Sequence, residues 1–304
     1  MTRANFYVIG AARSGTTSLH HYLGQHPEIY MCPVKEPNFY AFDGSTAHLR
    51  GPSAQWLSDH SVVSRSAYAA LFENAGNARA IGEVSPLYLS TAGSAERIQH
   101  ENPGAKMVAI LRHPVDRAFA SFVAHRREGW EPCANFREAF DDDGRRVEEG
   151  WVLQSLFSAG CYAEKLTPYY QRFLSTQIRV YLYEDLVQAP AALMADLFAF
   201  LDVDSDFVPD LASRYNESGE IRNPLVALLW KHSYRLRREL RRFLPKSLRD
   251  LAYARITRDL HRPYLDDRLR AELTERYRDE IVRLQNMIDR DLSHWLRERC
   301  SAVP

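Results

Sequence analysis

Hydrophobic positions fall into short runs separated by longer amphipathic stretches, the texture of strand–helix–strand units wound about a parallel sheet. Phe6-Tyr7-Val8-Ile9 predicts a buried strand, followed by a glycine loop and a helix over Thr16–Leu23 that Gly24 and Pro27 close. Ile29-Tyr30-Met31-Cys32 predicts a second short strand ended by Pro33. Ala80–Val84 and Lys106–Leu111 are further strand candidates, and Pro114 opens a helix from Val115 to Arg127. Ile178–Leu182 reads as a late strand, and Ala189–Leu201 as a helix with Leu193, Leu197 and Phe200 on one side.

Beyond Asn223 the texture changes. Leu225–Leu244 and Arg268–Leu296 read as Arg-rich amphipathic helices, interrupted by Pro245 and Pro263. The pattern predicts one domain over residues 1–304: an α/β core over 5–223 with a central parallel sheet between helical layers, and a helical C-terminal part over 224–304. Asp141-Asp142-Asp143 is expected to be a solvated loop.

Composition sets limits. The 304 residues carry 39 Lys+Arg against 39 Asp+Glu, so no overall field points to nucleic acid or membrane, and any anion site is local. Cys32, Cys133, Cys161 and Cys300 are widely spaced, which suggests reduced thiols rather than a zinc site or a disulfide framework. The apolar run at Phe6–Ile9 is too short for a signal segment or a spanning helix, so a cytoplasmic location is expected, with no membrane span. His20, His21, His113 and His125 show no metal-ligand spacing, and no metal is expected.

The chemistry concentrates at Gly10-Ala11-Ala12-Arg13-Ser14-Gly15-Thr16-Thr17. A strand, a loop with glycine at each end and a helix N-terminus aim backbone amides at one point, where an anion binds. Nucleoside-triphosphatase loops place Lys after the last glycine to reach the terminal phosphates. Thr16 stands there instead, which argues against ATP or GTP.

Four blocks then resemble the sulfotransferase superfamily that uses 3′-phosphoadenosine-5′-phosphosulfate (PAPS), especially its heparan-sulfate-type and bacterial branch. Arg13-Ser14-Gly15-Thr16-Thr17-Ser18 resembles its 5′-phosphosulfate loop, and Lys35-Glu36-Pro37-Asn38-Phe39-Tyr40 its Lys-Glu segment. Leu111-Arg112-His113-Pro114 through Ser121 is similar to its 3′-phosphate block. Gly160-Cys161-Tyr162-Ala163-Glu164-Lys165-Leu166, followed by Tyr181–Leu186 and Phe200-Leu201, completes the order.

The resemblance implies a P-loop-like three-layer α/β/α fold and transfer of a sulfuryl group from PAPS to a hydroxyl or amine of a carbohydrate, glycolipid or other small acceptor, leaving adenosine 3′,5′-bisphosphate (PAP). It implies donor contacts from Arg13, Ser14, Gly15, Thr16, Thr17 and Ser18, with Arg112 and Ser121 on the 3′-phosphate. Arg222 is a further candidate in a late loop. Glu36 is implied as general base and Lys35 as a neighbour of the developing charge. Many relatives carry Lys where Arg13 stands; Arg keeps the charge but does not readily give up a proton. Glu83, at the end of a strand, is a candidate to face the acceptor or to cap a loop, and Tyr162 is expected to be structural. The alternatives are a P-loop kinase, which would need ATP and magnesium, and a non-catalytic nucleotide-binding protein.

Overall fold

The structure, a computed structural model, describes residues 3–212, 219–221, 260–261 and 263–297. Its sheet strands are β1 (Phe6–Gly10), β2 (Ile29–Met31), β3 (Ala80–Val84), β4 (Lys106–Leu111) and β5 (Ile178–Leu182). They pair in the order β2-β3-β1-β4-β5, every pair parallel. Glu220–Ile221 and Leu260–His261 form a separate antiparallel pair.

Helix α1 (Thr16–Leu23) follows β1, and α2 (Ala54–His60) and α3 (Arg65–Ala70) precede β3. After β3 come α4 (Leu87–Ser90) and α5 (Ser94–Glu101). Between β4 and β5 lie α6 (Pro114–Glu128), α7 (Phe136–Asp141), α8 (Asp143–Glu148) and α9 (Tyr162–Tyr170). Beyond β5 are α10 (Tyr183–Gln188), α11 (Pro190–Phe200), α12 (Asp267–Glu275), α13 (Arg278–Ile288) and α14 (Ser293–Leu296).

Alternation along the strands divides the core between the two sheet faces. Tyr7, Ile9, Ile81, Met107 and Ala109 join one buried cluster with Leu273, Tyr277, Ile281 and Trp295 of the C-terminal helices. Phe6, Val8, Val84, Val108 and Ile110 join the other, with Leu19 and Leu23 of α1 and Leu197 and Phe198 of α11. Gly82 is required by this packing: a Cβ there would stand 2.0 Å from the Phe6 ring. The chain leaves β1 towards one edge of the sheet and leaves β4 towards the other. Such a reversal opens a crevice at the carboxyl ends of the strands, where open parallel sheets bind ligands.

The predicted strands and the first helix lie where the hydrophobic pattern puts them. Two expectations need correction. Arg268–Leu296 is three helices: a turn at Arg276-Tyr277 separates α12 from α13, and Asp289 (φ 50°) turns the chain left-handed after α13. Asp141-Asp142-Asp143 is not a solvated loop but a helix junction with every carboxylate engaged. Asp141 meets Arg137 at 2.5 Å and Arg276 at 2.6 Å, and Asp142 meets Arg145 at 2.5 Å and Arg146 at 3.0 Å. Asp143 is buried and accepts from the amides of Phe157 (2.9 Å) and Ser158 (3.0 Å). Leu225–Leu244 lies outside the described residues.

Candidate active site

The loop after β1 is held from below and from the side. The Ala11 amide donates to the Ile110 carbonyl at 2.8 Å, which fastens the loop to β4. Gly15 caps α1 with φ 101°, and a Cβ at that position would meet Leu186 Cδ2 at 2.5 Å, so both conformation and space call for glycine. Arg13 also takes a left-handed backbone (φ 66°). No side chain caps α1, so the amides of its first turn lack intrahelical acceptors, and the positive end of the helix dipole lies at the loop. Thr16 and Ser18 are buried in that turn. Ser14 is fully buried near the Tyr162 phenol, and its hydroxyl completes no hydrogen bond.

Arg112 leaves the end of β4 beside this loop. Its Nη1 donates to the Arg13 carbonyl at 3.4 Å, and its guanidinium lies 4.9 Å from the centre of the Tyr183 ring. Among the described residues no carboxylate pairs with it, so a phosphate would meet a cation without an internal counter-charge. Tyr162 Oη donates to the Arg112 carbonyl at 2.8 Å, a positional contact, and burial pushes the phenol up to about 12.

Lys35 and Glu36 reach the same end of the sheet from β2. The Glu36 amide donates to the Val84 carbonyl at 2.9 Å, which places this segment over the carboxyl end of β3. Lys35 Nζ donates to Glu36 Oε1. His20 and His21 of α1 lie next to the pair, and burial, with Lys35 adding to it, lowers both imidazoles from their ordinary range. The phosphate-loop helix and the Lys-Glu segment therefore share one wall.

Ser121 is placed differently from Arg112. It is buried on α6, where Arg117 Nη1 donates to its hydroxyl at 3.4 Å. Arg117 is itself buried, donates to the Leu156 carbonyl, and leaves Nε without a partner. One turn on, His125 is held well below its ordinary range by burial and then by Arg13 and Arg117, which keeps it neutral. The sequence reading missed Arg117 and His125. Their signal was the spacing 117, 121, 125 along one helix face.

Glu83 does not face an acceptor. It is fully buried on β3, across from Tyr7 of β1, and burial raises its carboxyl to about 7. Arg222 lies outside the described residues.

An aromatic group missed by the sequence reading runs from the α6 side to the Lys-Glu segment. The Trp56 and Trp130 rings are centred 5.0 Å apart, and His60 stacks on Trp56 at 4.5 Å. Trp130 neighbours His125, and just beyond His60 the Val62 amide donates to the Pro37 carbonyl at 2.8 Å. Both indoles are half-buried.

The model of the sulfotransferase family matches residues 5–207, a span that contains the loop, the Lys-Glu segment and Arg112. The chain belongs to the sulfotransferase family. A sulfotransferase of known structure from Alicyclobacillus acidocaldarius is 30% identical, with a TM-score of 0.77 over 98% of this chain and 100% of that one. The bifunctional heparan sulfate N-deacetylase/N-sulfotransferase 4 of Mus musculus is 26% identical over 98% of this chain and 32% of its own length. The membrane-associated sulfotransferase kil1 of Dictyostelium discoideum is 32% identical over 39% of this chain and 22% of its own length. This sulfotransferase thus spans a third or less of these curated relatives. Its five-stranded parallel sheet between helices is the family fold. Among the described residues no helix is long and apolar enough to cross a membrane.

Proposed function

We propose that this sulfotransferase transfers the sulfuryl group of PAPS to a hydroxyl or amine of a carbohydrate, glycolipid or other small acceptor, with Glu36 as general base. The observation that supports this most is the contact of Arg112 with the Arg13 carbonyl, which sets a guanidinium with no carboxylate partner among the described residues against the glycine loop that opens α1. Polar groups left over by the fold fit an anionic nucleotide: the Ser14 hydroxyl and Arg117 Nε both lack partners.

Bound PAPS supplies the sulfuryl group and leaves as PAP. The amides of the Arg13–Ser18 loop, with the hydroxyls of Thr16 and Thr17, hold its 5′-phosphosulfate end as preorganised donors. Arg112 takes the 3′-phosphate, with Ser121 supported by Arg117, and Arg222 is a further candidate. Arg13 stabilises charge on the leaving phosphate without donating a proton. Lys35 stands by the transferring group. Glu36 takes the proton that the acceptor oxygen or nitrogen loses as its bond to sulfur forms. The half-buried indoles of Trp56 and Trp130 offer flat apolar faces to an acceptor ring.

Calorimetric titration with PAP, and separately with ATP and magnesium, tests the donor. Tight binding of PAP alone is expected, and preference for ATP overturns the reading. Glu36→Ala tests the base: sulfate transfer at the wild-type rate removes Glu36 from that role.

A further inference from the structure

The turn that carries Glu36 is bent in a way its sequence does not favour. Glu36 and Asn38 both take left-handed backbones, with φ of 62° and 55°. Asparagine tolerates this region through its short polar side chain, whereas glutamate holds it where surrounding contacts impose it.

Three successive residues supply those contacts. The Asn38 amide donates to Ser85 Oγ at 3.1 Å. The Phe39 ring stacks on Tyr68, centres 4.2 Å apart and planes within 9°. The Tyr40 amide donates to Tyr88 Oη at 3.2 Å. Ser85 and Tyr88 thus use their oxygens as acceptors, which leaves both hydroxyl protons for another group. That group is at hand: the hydroxyls nearest the Glu83 carboxyl are those of Tyr88, Tyr68 and Ser85. Neither Glu83 oxygen nor the Tyr68 hydroxyl completes a hydrogen bond as placed, so the buried carboxyl keeps unfilled acceptor capacity beside three hydroxyls.

We propose that Glu83 is a positioning residue for Glu36. Its carboxylate accepts hydrogen bonds from the Ser85 and Tyr88 hydroxyls, turns their oxygens towards the Asn38 and Tyr40 amides, and so fixes the turn that presents Glu36 to the acceptor. This rests on the reading of Glu36 as the base. The groups facing Glu83 are Tyr7 of β1, Cys32 after β2, Tyr40, Tyr68 of α3, and Tyr88 of α4, with Ser85 beside it; among the described residues no cation faces it. Ionised Glu83 accepts from all three hydroxyls. Protonated Glu83 must aim its own hydrogen at one of them, and a tether is weakened.

The test uses the full chain and four variants, Glu83→Gln, Ser85→Ala, Tyr88→Phe and Glu36→Gln. Amide hydrogen exchange is followed over residues 36–42 and over β4. Turnover and PAP affinity are measured between pH 5.5 and 9. For Glu83→Gln we expect exchange at Asn38 and Tyr40 to quicken about tenfold with β4 unchanged, and kcat to fall with PAP affinity kept. The acidic limb of the kcat profile near pH 7 should be present in the wild type and absent in this variant. Ser85→Ala should expose the Asn38 amide and Tyr88→Phe the Tyr40 amide, which keeps the test open if Glu83→Gln does not fold. Wild-type exchange over residues 36–42 in these folded variants overturns the proposal. Wild-type kcat in Glu36→Gln refutes the base reading instead, while the exchange data still judge the tether.

Discussion

Removing the Glu83 carboxylate should change how stability depends on pH, and the size of the change follows from its surroundings. Burial raises the carboxyl from 4.5 to about 7, and among the described residues no cation offsets it. Between those values the folded chain binds a proton that the unfolded chain has released. Wild-type stability attributable to Glu83 is therefore complete below about pH 4.5 and is lost as pH rises through about 7. At about 1.4 kcal/mol for each pH unit the loss amounts to roughly 3 kcal/mol by pH 8. Glu83→Gln cannot ionise. Its imperfect hydrogen bonds cost a fixed amount at every pH, while the ionisation cost disappears. Urea unfolding followed by circular dichroism at pH 5, 6, 7 and 8 separates the two contributions. The stability of Glu83→Gln relative to wild type should improve by roughly 2.5 kcal/mol across that series, with an unchanged denaturant slope. A difference that stays level with pH would refute the account of Glu83 as a carboxyl that must shed its proton inside the protein. The ionisation that costs stability is also the one that tightens the turn at Glu36, so stability and turnover should move in opposite directions with pH.

Three further outcomes follow from the geometry. Gly15→Ala should lower stability by about 2 kcal/mol and weaken PAP binding at least tenfold, because the new methyl meets Leu186 in a left-handed backbone; unchanged affinity by calorimetry would count against the loop as donor site. Arg13→Ala should cut kcat by about 100-fold, whereas Arg13→Lys should match or exceed the wild type because Lys adds a transferable proton; equal losses in both would end the charge argument. Arg146 and Glu131 form a fully buried two-pronged ion pair at 2.7 and 2.8 Å, so Glu131→Ala should destabilise by about 3–5 kcal/mol in urea unfolding. A loss under about 1 kcal/mol would show that the remaining Arg146 contacts suffice.

The strands were legible because a strand buried on both faces must be a nearly continuous apolar run, and Lys106–Leu111 and Ala80–Val84 lie where that pattern put them. The phosphate loop was legible for a similar reason: its backbone path needs glycine at 15, and its amides need no particular side chains. Glu83 was not, since a carboxyl at a strand end reads as a site residue unless one knows that four tyrosines from separate elements surround it. The same holds for Arg117, whose partners are a carbonyl 39 residues away and a serine one turn along its helix. The acidic run at 141–143 misled because charge is solvated by default, and only long-range pairing, such as Arg276 with Asp141, reverses that default. The C-terminal helices broke where Asp289, neither glycine nor proline, adopts the left-handed turn.

The clasp between the C-terminal helices and the strand ends bears on when activity can arise. His113, next to Arg112, bonds the Trp295 carbonyl at 3.0 Å, and the Trp295 indole donates to Glu184 at 3.0 Å. Arg290 grips Asp185 with two bonds, at 2.6 and 2.9 Å. The residues flanking Arg112 and Tyr183 are thus secured by side chains made 105 to 182 positions later. Closing loops of that span comes late in folding, after the local βα units have formed. During synthesis the phosphate loop and its sheet can assemble early, yet the Arg112 side of the crevice stays unfastened until residues 290–295 emerge. A growing chain would therefore carry a folded phosphate loop before residues 290–295 fasten the Arg112 side of the crevice beside it.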